Sequence, residues 1–289
     1  MTSRRASRAP VGVKRTSTKK ATGRRRLAVL SGGGALAILA IVAAFVFASH
    51  GGGQRRAVII DQLNDTAPNP AFAAEAQRTL RPAGYAVDYV SGSAVDVDLF
   101  RHLPDHRYDL VIVRAHSGRL QVEGQTLATE HPEFTDDAAL FTSEPWSSSK
   151  YLDEQRDHRL SIARYDVRAD PSFFGITPKF IRDSMQGRLG GATIVLMGCD
   201  GLRGGALATA LRERGAGDVI GWDELVTAAR TDDATLRLLG HLAAGGSTSQ
   251  AVASTMSEIG SDPDHHSALL VYGSQTGAPV EPLPRPSAN

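Results

Sequence analysis

The chain has 289 residues, 42% hydrophobic and 22% charged, the balance of an ordinary globular protein of one large domain or two small ones. Its net charge of +1 conceals two opposite parts: residues 1–26 hold ten basic residues and no acid, while residues 27–289 carry 22 basic against 31 acidic residues, net −9. An acidic body excludes nucleic acid as its partner, and a single cysteine, Cys199, excludes an internal disulfide.

After the basic tail, residues 27–48 run for 22 residues without a charge, enough to cross a bilayer as one helix. The densest apolar parts are Ile38-Leu39-Ala40-Ile41-Val42 and Phe45-Val46-Phe47. Ten basic residues stand before this span and only Arg55 and Arg56 just after it, which places the tail in the cytoplasm and the main domain outside. The expected protein is therefore a single-pass membrane protein with a signal anchor, and its tail can also touch anionic lipid. Val46-Phe47-Ala48 resembles a small-residue cleavage site, so secretion after cleavage near Ala48 is the alternative. Arg24-Arg25-Arg26-Leu27 also loosely resembles a twin-arginine export signal. Residues 49–56, with Gly51-Gly52-Gly53, read as a linker.

The body begins with an apolar strand at 57–60. Phe72, Ala73, Ala76 and Leu80 predict a helix over 70–80, ended by Pro82-Ala83-Gly84. A strand at 85–90, a short helix at 95–103 and a strand at 110–113 follow. The stretch 118–189 is less regular. Hairpin strands are expected near 120–122 and 160–167, and the aromatic residues at 141–146 and 173–176 read as packing within it. Thr177-Pro178 pairs a capping hydroxyl with a proline at the first helical position, which starts a helix running to about Met185.

Alternation then resumes: a strand at 193–197, a helix at 205–214 stopped by Gly215-Ala216-Gly217, and a strand at 219–221. Asp232-Asp233 are expected to cap a helix carrying Leu236, Leu238, Leu239 and Leu242. A helix at 249–259 and a strand at 269–272 complete the domain, and the proline-rich tail 276–289 reads as disordered. Short apolar strands separated by helices predict an α/β fold with a mostly parallel six-stranded sheet and helices on both faces. One domain, 57–275, holds it all.

Two of these strands end in reactive side chains. Leu110-Val111-Ile112-Val113-Arg114-Ala115 leads to His116, and Thr193-Ile194-Val195-Leu196-Met197-Gly198 leads to Cys199. Ligands of open α/β sheets bind at the carboxyl ends of strands, so an imidazole can stand beside a thiol, the minimum for a cysteine nucleophile. In an oxidising compartment an unpaired thiol also needs burial or a use.

This pattern resembles the caspase-like fold of cysteine peptidases: caspases, legumains, gingipains, separases and the CHAT domains. Their pattern is a hydrophobic block and His-Gly, then a second hydrophobic block and a small residue before Cys, and here the blocks lead to His116 and to Gly198-Cys199 in that order. The helix at 207–214 and the run Gly215-Ala216-Gly217-Asp218-Val219-Ile220-Gly221-Trp222 are similar to gingipain-like and CHAT-like proteins, and the likeness spans about 57–275. The resemblance implies a three-layer caspase-like fold, which the transmembrane helix expected at 27–48 precedes. It implies a thiol protease with His116 and Cys199 catalytic, amides near Ser117 and Gly118 binding the oxyanion, and a peptide or protein substrate. Ser117 stands where the family has its glycine, with Gly118 one later, and the stretch between His116 and Cys199 is longer than in caspases.

In the family the end of the first strand lies near the specificity pocket. Here that region offers Asp61, Asn64 and Asp65 and no arginine, with Asp200, Asp223 and Glu224 beyond neighbouring strands, which implies a basic residue before the cut. No cofactor or metal is expected. Asp262-Pro263-Asp264-His265-His266 is a poor ligand set, because adjacent histidines point different ways.

Two other readings compete. An amidotransferase-like hydrolase would use a histidine after the cysteine, His241, His265 or His266, although Met197 occupies the first glycine position of its elbow motif. A catalytically inactive binding or sensor module is the other, with Ser117 in its favour.

Overall fold

The computed structural model describes residues 54–122, 124–125, 131–165 and 171–273. The basic tail, the apolar span at 27–48, most of the linker and the proline-rich end lie outside them. Among the described residues no helix is long and apolar enough to cross a membrane.

The elements alternate as the apolar pattern predicts. The main sheet contains β1 (Arg55–Asp61), β2 (Tyr85–Ser91), β3 (Leu110–Arg114), β8 (Thr193–Leu196), β9 (Val219–Trp222) and β10 (Leu269–Tyr272). Their order across the sheet is β10-β9-β8-β3-β1-β2, all parallel except β10. The helices are α1 (Pro70–Leu80), α2 (Val97–His102), α3 (Leu152–Arg156), α4 (Pro178–Asp183), α5 (Ala206–Glu213), α6 (Ala228–Ala243) and α7 (Thr248–Ile259).

The central strands are buried on both faces, so alternate residues enter two separate cores. Ala57, Ile59, Ile112, Val195 and Trp222 pack under α1, α6 and α7. Val58, Ile60, Val113, Ile194 and Leu196 pack on the opposite side, under α2, α4 and α5. The result is a three-layer α/β domain. Caps hold the helix starts: Asn69, Asp96, Thr177 and Ser247 each accept from a backbone amide inside the first turn.

The irregular middle stretch is better organised than its sequence predicts. It forms a second, antiparallel sheet from β4 (Ser117–Gln121), β5 (Phe134–Pro145), β6 (Leu160–Arg164) and β7 (Ser172–Ile176), in the order β4-β5-β7-β6. The aromatic runs expected to be packing are strands here, and Leu140, Phe174 and Ile176 join the core. Their polar neighbours Thr142, Ser143 and Glu144 are buried too, which hides the alternation that marks a strand.

Asp232 and Asp233 do not cap α6. The helix begins four residues earlier, where Thr227 accepts from the Arg230 amide, and Asp232 lies inside it. The other departure is at α2, shortened because Leu103–His106 tighten into a 3-10 turn.

Candidate active site

The chain runs from β1 out to β2, then crosses back to β3 on the other side of β1. This reversal leaves a crevice beyond the carboxyl ends of β1 and β3, the place where open α/β sheets bind ligands. Gln62–Asp65 form a 3-10 turn directly after β1, and His116 follows β3 after a single intervening residue.

β3 and β8 are neighbours, with Val113 opposite Leu196. His116 and Cys199 each lie three residues beyond that pair, so the parallel register delivers them to equal height. Both line one small cleft of about 30 Å³, with Leu63, Gly198, Val226 and Thr231 around them. The strand ends approach closely there. A side chain on Gly198 would lie 2.5 Å from the Ala115 carbonyl oxygen and would run into the Ser117 hydroxyl.

The two reactive groups face the same cleft but hydrogen-bond elsewhere. The Cys199 thiol donates to the Val226 carbonyl at 3.5 Å and accepts from the Val226 amide at 3.5 Å. The His116 Nε2 lies 3.4 Å from the Thr66 hydroxyl. Burial pushes the Cys199 thiol up from its ordinary pKa, and nearby Asp200 adds to this. Burial pushes the His116 imidazole down, with the Arg114 charge acting in the same direction. The resting site therefore holds a neutral thiol and a neutral imidazole at neutral pH, not an ion pair. Cys199 also gains nothing from a helix dipole, because a turn from Gly198 to Gly205 separates it from α5.

Arg114 shapes the floor of the site. It is 1% exposed and binds Asp61 at 2.7 Å, Asp232 at 2.7 and 2.9 Å, and the Ala67 carbonyl at 2.8 Å. Asn69 adds a bond to Asp232 and Tyr89 one to Asp61, each at 2.9 Å. Gln62, fully buried, braces the histidine. Its side-chain oxygen accepts from the His116 amide at 2.9 Å and its nitrogen donates to the Tyr165 hydroxyl at 2.7 Å. The Tyr165 ring centroid is 4.8 Å from that of His116, and the Phe141 ring lies 5.9 Å from the imidazole and 5.7 Å from Tyr165, so the three rings form one cluster.

The two expected oxyanion positions are not equivalent. The Phe141 amide donates to the His116 carbonyl, so the next pair, Ser117 with Leu140, falls in the class without ladder hydrogen bonds. The Ser117 amide then points away from β5, toward Gly198. The Gly118–Ala139 pair falls in the hydrogen-bonded class, which commits the Gly118 amide to the sheet. The Ser117 hydroxyl donates in a close hydrogen bond to the Cys199 carbonyl, tying β4 to the cysteine turn.

Most of the acids expected to meet a basic side chain are already engaged. Asp61 is fully buried on Arg114, an arginine that β3 supplies. Asp200 is 3% exposed and paired with Arg203 at 3.3 Å. Asp223 accepts from the Ala268 amide at 2.8 Å. Asn64 donates weakly to Asp65 at 3.5 Å, and Asp65 is exposed.

The later histidines stand elsewhere. His241 pairs with Glu258 at 2.9 Å on α6, and His265 and His266 are exposed in the turn after α7. Asp262 is buried as the organiser of that turn, accepting from the Asp264, His265 and Thr227 amides. Among the described residues no group of three or more His, Cys, Asp and Glu side chains is set to hold a metal ion.

A much larger cleft, about 1100 Å³, lies on the second sheet, lined by Phe141, Trp146, Ile162 and Arg164 among others. The one cysteine of the chain, Cys199, lines the small cleft with His116 and does not line this one, so size and chemistry select different places. Chemistry selects the small one. Sequence reasoning did not single out Gln62, Thr66, Arg114, Tyr165, Val226 or Asp232 for the site. Their only local signal is a polar residue closing an apolar strand, at Asp61-Gln62 and at Arg114. No family model matches this chain, and no curated protein matches its sequence.

Proposed function

We propose that residues 57–275 form a cysteine peptidase of caspase-like fold, with Cys199 as nucleophile and His116 as base, held outside the cytoplasm by the apolar span at 27–48. One observation carries this reading: the adjacent parallel strands β3 and β8, next to the reversal point of the sheet, bring a neutral imidazole and a thiol into one cleft at equal height. The order of histidine before cysteine on successive strands of the main sheet supports the family assignment.

The neutral pair sets the sequence of events. His116 takes the Cys199 proton as sulfur attacks the peptide carbonyl carbon, and the carbonyl electron pair moves to oxygen. The Ser117 amide and the Cys199 amide are the donors beside that oxygen, a contribution of about 3 kcal/mol per donor where measured in such sites. The tetrahedral intermediate collapses with cleavage of the C–N bond, and the imidazolium returns its proton to the leaving amine. Water then attacks the thioester with His116 again as base. A carboxylic acid leaves and the thiol is restored. Before the first step the thiol must exchange its Val226 partners for His116, a rearrangement that the bound substrate has to drive.

The test is cleavage of a peptide mixture by the full-length protein and by its Cys199→Ala and His116→Ala variants. Cys199→Ala is expected to abolish cleavage, and His116→Ala to slow it by about 10²- to 10⁴-fold. Full activity without His116 would return the role to a later histidine. No cleavage, together with no labelling of Cys199 by a peptidyl acyloxymethyl ketone, would overturn the peptidase. A second reading has its own support: a thiol held between the Val226 amide and carbonyl, and raised in pKa, suits a binding module that holds peptides without cutting them.

A further inference from the structure

Beside the cleft, against His116, stands an aromatic wall whose chemistry bears on what binds there. Tyr165, at the end of β6, packs its ring 4.8 Å from His116, 5.7 Å from Phe141 and 5.3 Å from Phe173. The residue is 41% exposed although its ring packs against the imidazole. Leu225, 48% exposed, directly precedes Val226, whose backbone holds the thiol. A large ring left in water against the base of the reactive pair marks a binding surface more than a folding requirement.

Charge on the floor is used up. Arg114 is saturated by two carboxylates and a carbonyl, and Asp61, Asp200 and Asp223 are each engaged. A charged substrate side chain reaching those groups would lose water without finding a free partner, and the exposed Asp65 near Tyr165 stays in water, where an ion pair is worth little. An apolar side chain meets rings instead. The wall is also held in place before anything binds, because buried Gln62 donates to the Tyr165 hydroxyl at 2.7 Å. Less ordering is then left to be done on binding. Phe141 also lines the large cleft on the second sheet, so the remainder of an extended chain has room to continue from the wall.

We propose that Tyr165, backed by Phe141, is the specificity-determining wall beside the small cleft, against the His116 ring, and that a large apolar side chain, aromatic or leucine-like, on the residue beside the bond that Cys199 attacks packs on it. This rests on the peptidase reading for its function but not for its binding. Two measurements on the full-length protein separate the two. The first is protection of Cys199 from iodoacetamide, read by mass spectrometry, using N-acetyl-phenylalaninamide and N-acetyl-lysinamide as competitors. The phenylalanine amide is expected to protect in a saturable way and the lysine amide to protect much less. The second is turnover of a matched set of peptidyl-coumarin amides with Phe, Leu, Ala, Lys or Asp before the bond. Phe and Leu are expected to lead. Tyr165→Ala is expected to lower the Phe-over-Ala ratio of kcat/KM about tenfold. Tyr165→Phe, which keeps the ring and loses the Gln62 bond, should retain that ratio. A merely structural Tyr165 would slow all substrates alike.

Equal protection by both amides, or by neither, overturns the wall. So does fastest cleavage after Lys or Asp, or an unchanged ratio in Tyr165→Ala. Protection by the phenylalanine amide without turnover of any peptide leaves the wall standing and removes the peptidase.

Discussion

Replacing Gly198 with alanine tests the site at its narrowest point. Gly198 does not need a left-handed backbone; it needs the absence of a side chain. A Cβ there would lie 2.5 Å from the Ala115 carbonyl oxygen and 3.0 Å from the Ser117 amide nitrogen, and would collide with the Ser117 hydroxyl. Ordinary contact begins at 3.4 Å. Relieving the carbonyl alone therefore requires about 0.9 Å of separation between the ends of β3 and β8, in an interior packed too tightly to give it freely. Overpacking of this kind costs about 1–3 kcal/mol, less than the stability of an ordinary domain, so the variant should fold. A shift approaching 1 Å between His116 and Cys199 should cost about 10²-fold in turnover. Urea unfolding reads the first effect, and peptide cleavage with the rate of Cys199 alkylation reads the second. Adding Ser117→Ala should recover little, because the backbone carbonyl still blocks the new methyl. Gly198→Ala with an unchanged urea midpoint, turnover and alkylation rate would refute the close approach of the two strand ends. Full recovery in the double variant would instead assign the strain to the Ser117 hydroxyl.

Four further outcomes follow from the structure. Arg114→Met leaves Asp61 and Asp232 buried without their cation and should cost about 3–5 kcal/mol in chemical denaturation, with much of the loss regained when both acids become asparagine. Gly240, inside α6 with open space where a Cβ would stand, should tolerate alanine and gain about 1 kcal/mol in the same assay. Because the His116 pKa is lowered and only the neutral ring can act as base, kcat/KM should be fully developed at neutral pH and fall only as pH drops through a value below the ordinary histidine pKa of about 6.5. Iodoacetamide labelling of Cys199 should correspondingly rise with a midpoint above the ordinary thiol value of about 8.5, whereas an ion-paired site would label fully near neutrality.

Much of the domain was legible from local signals. Apolar runs bounded by glycine, proline and capping residues marked six strands and most helices, because a strand buried on both faces has to be apolar throughout. The second sheet was hidden for the opposite reason. Its central strand β5 buries Thr142, Ser143 and Glu144, with Thr142 bonded to Phe174 and Glu144 to Lys150, Tyr151 and the Val97 amide, partners that local pattern does not identify.

The sequence by itself determined the chemistry available: one thiol, a histidine before it, and an apolar strand leading to each. Tertiary structure decided how those groups stand. Register between β3 and β8 set His116 and Cys199 at one height, and burial with Arg114 beneath made the imidazole neutral. Ion pairing across 53 residues turned Asp61 from a candidate substrate ligand into the partner of Arg114. A residue's type is a local fact. Its partners, its exposure and hence its charge are set by chain segments far away in sequence, which only folding brings to it.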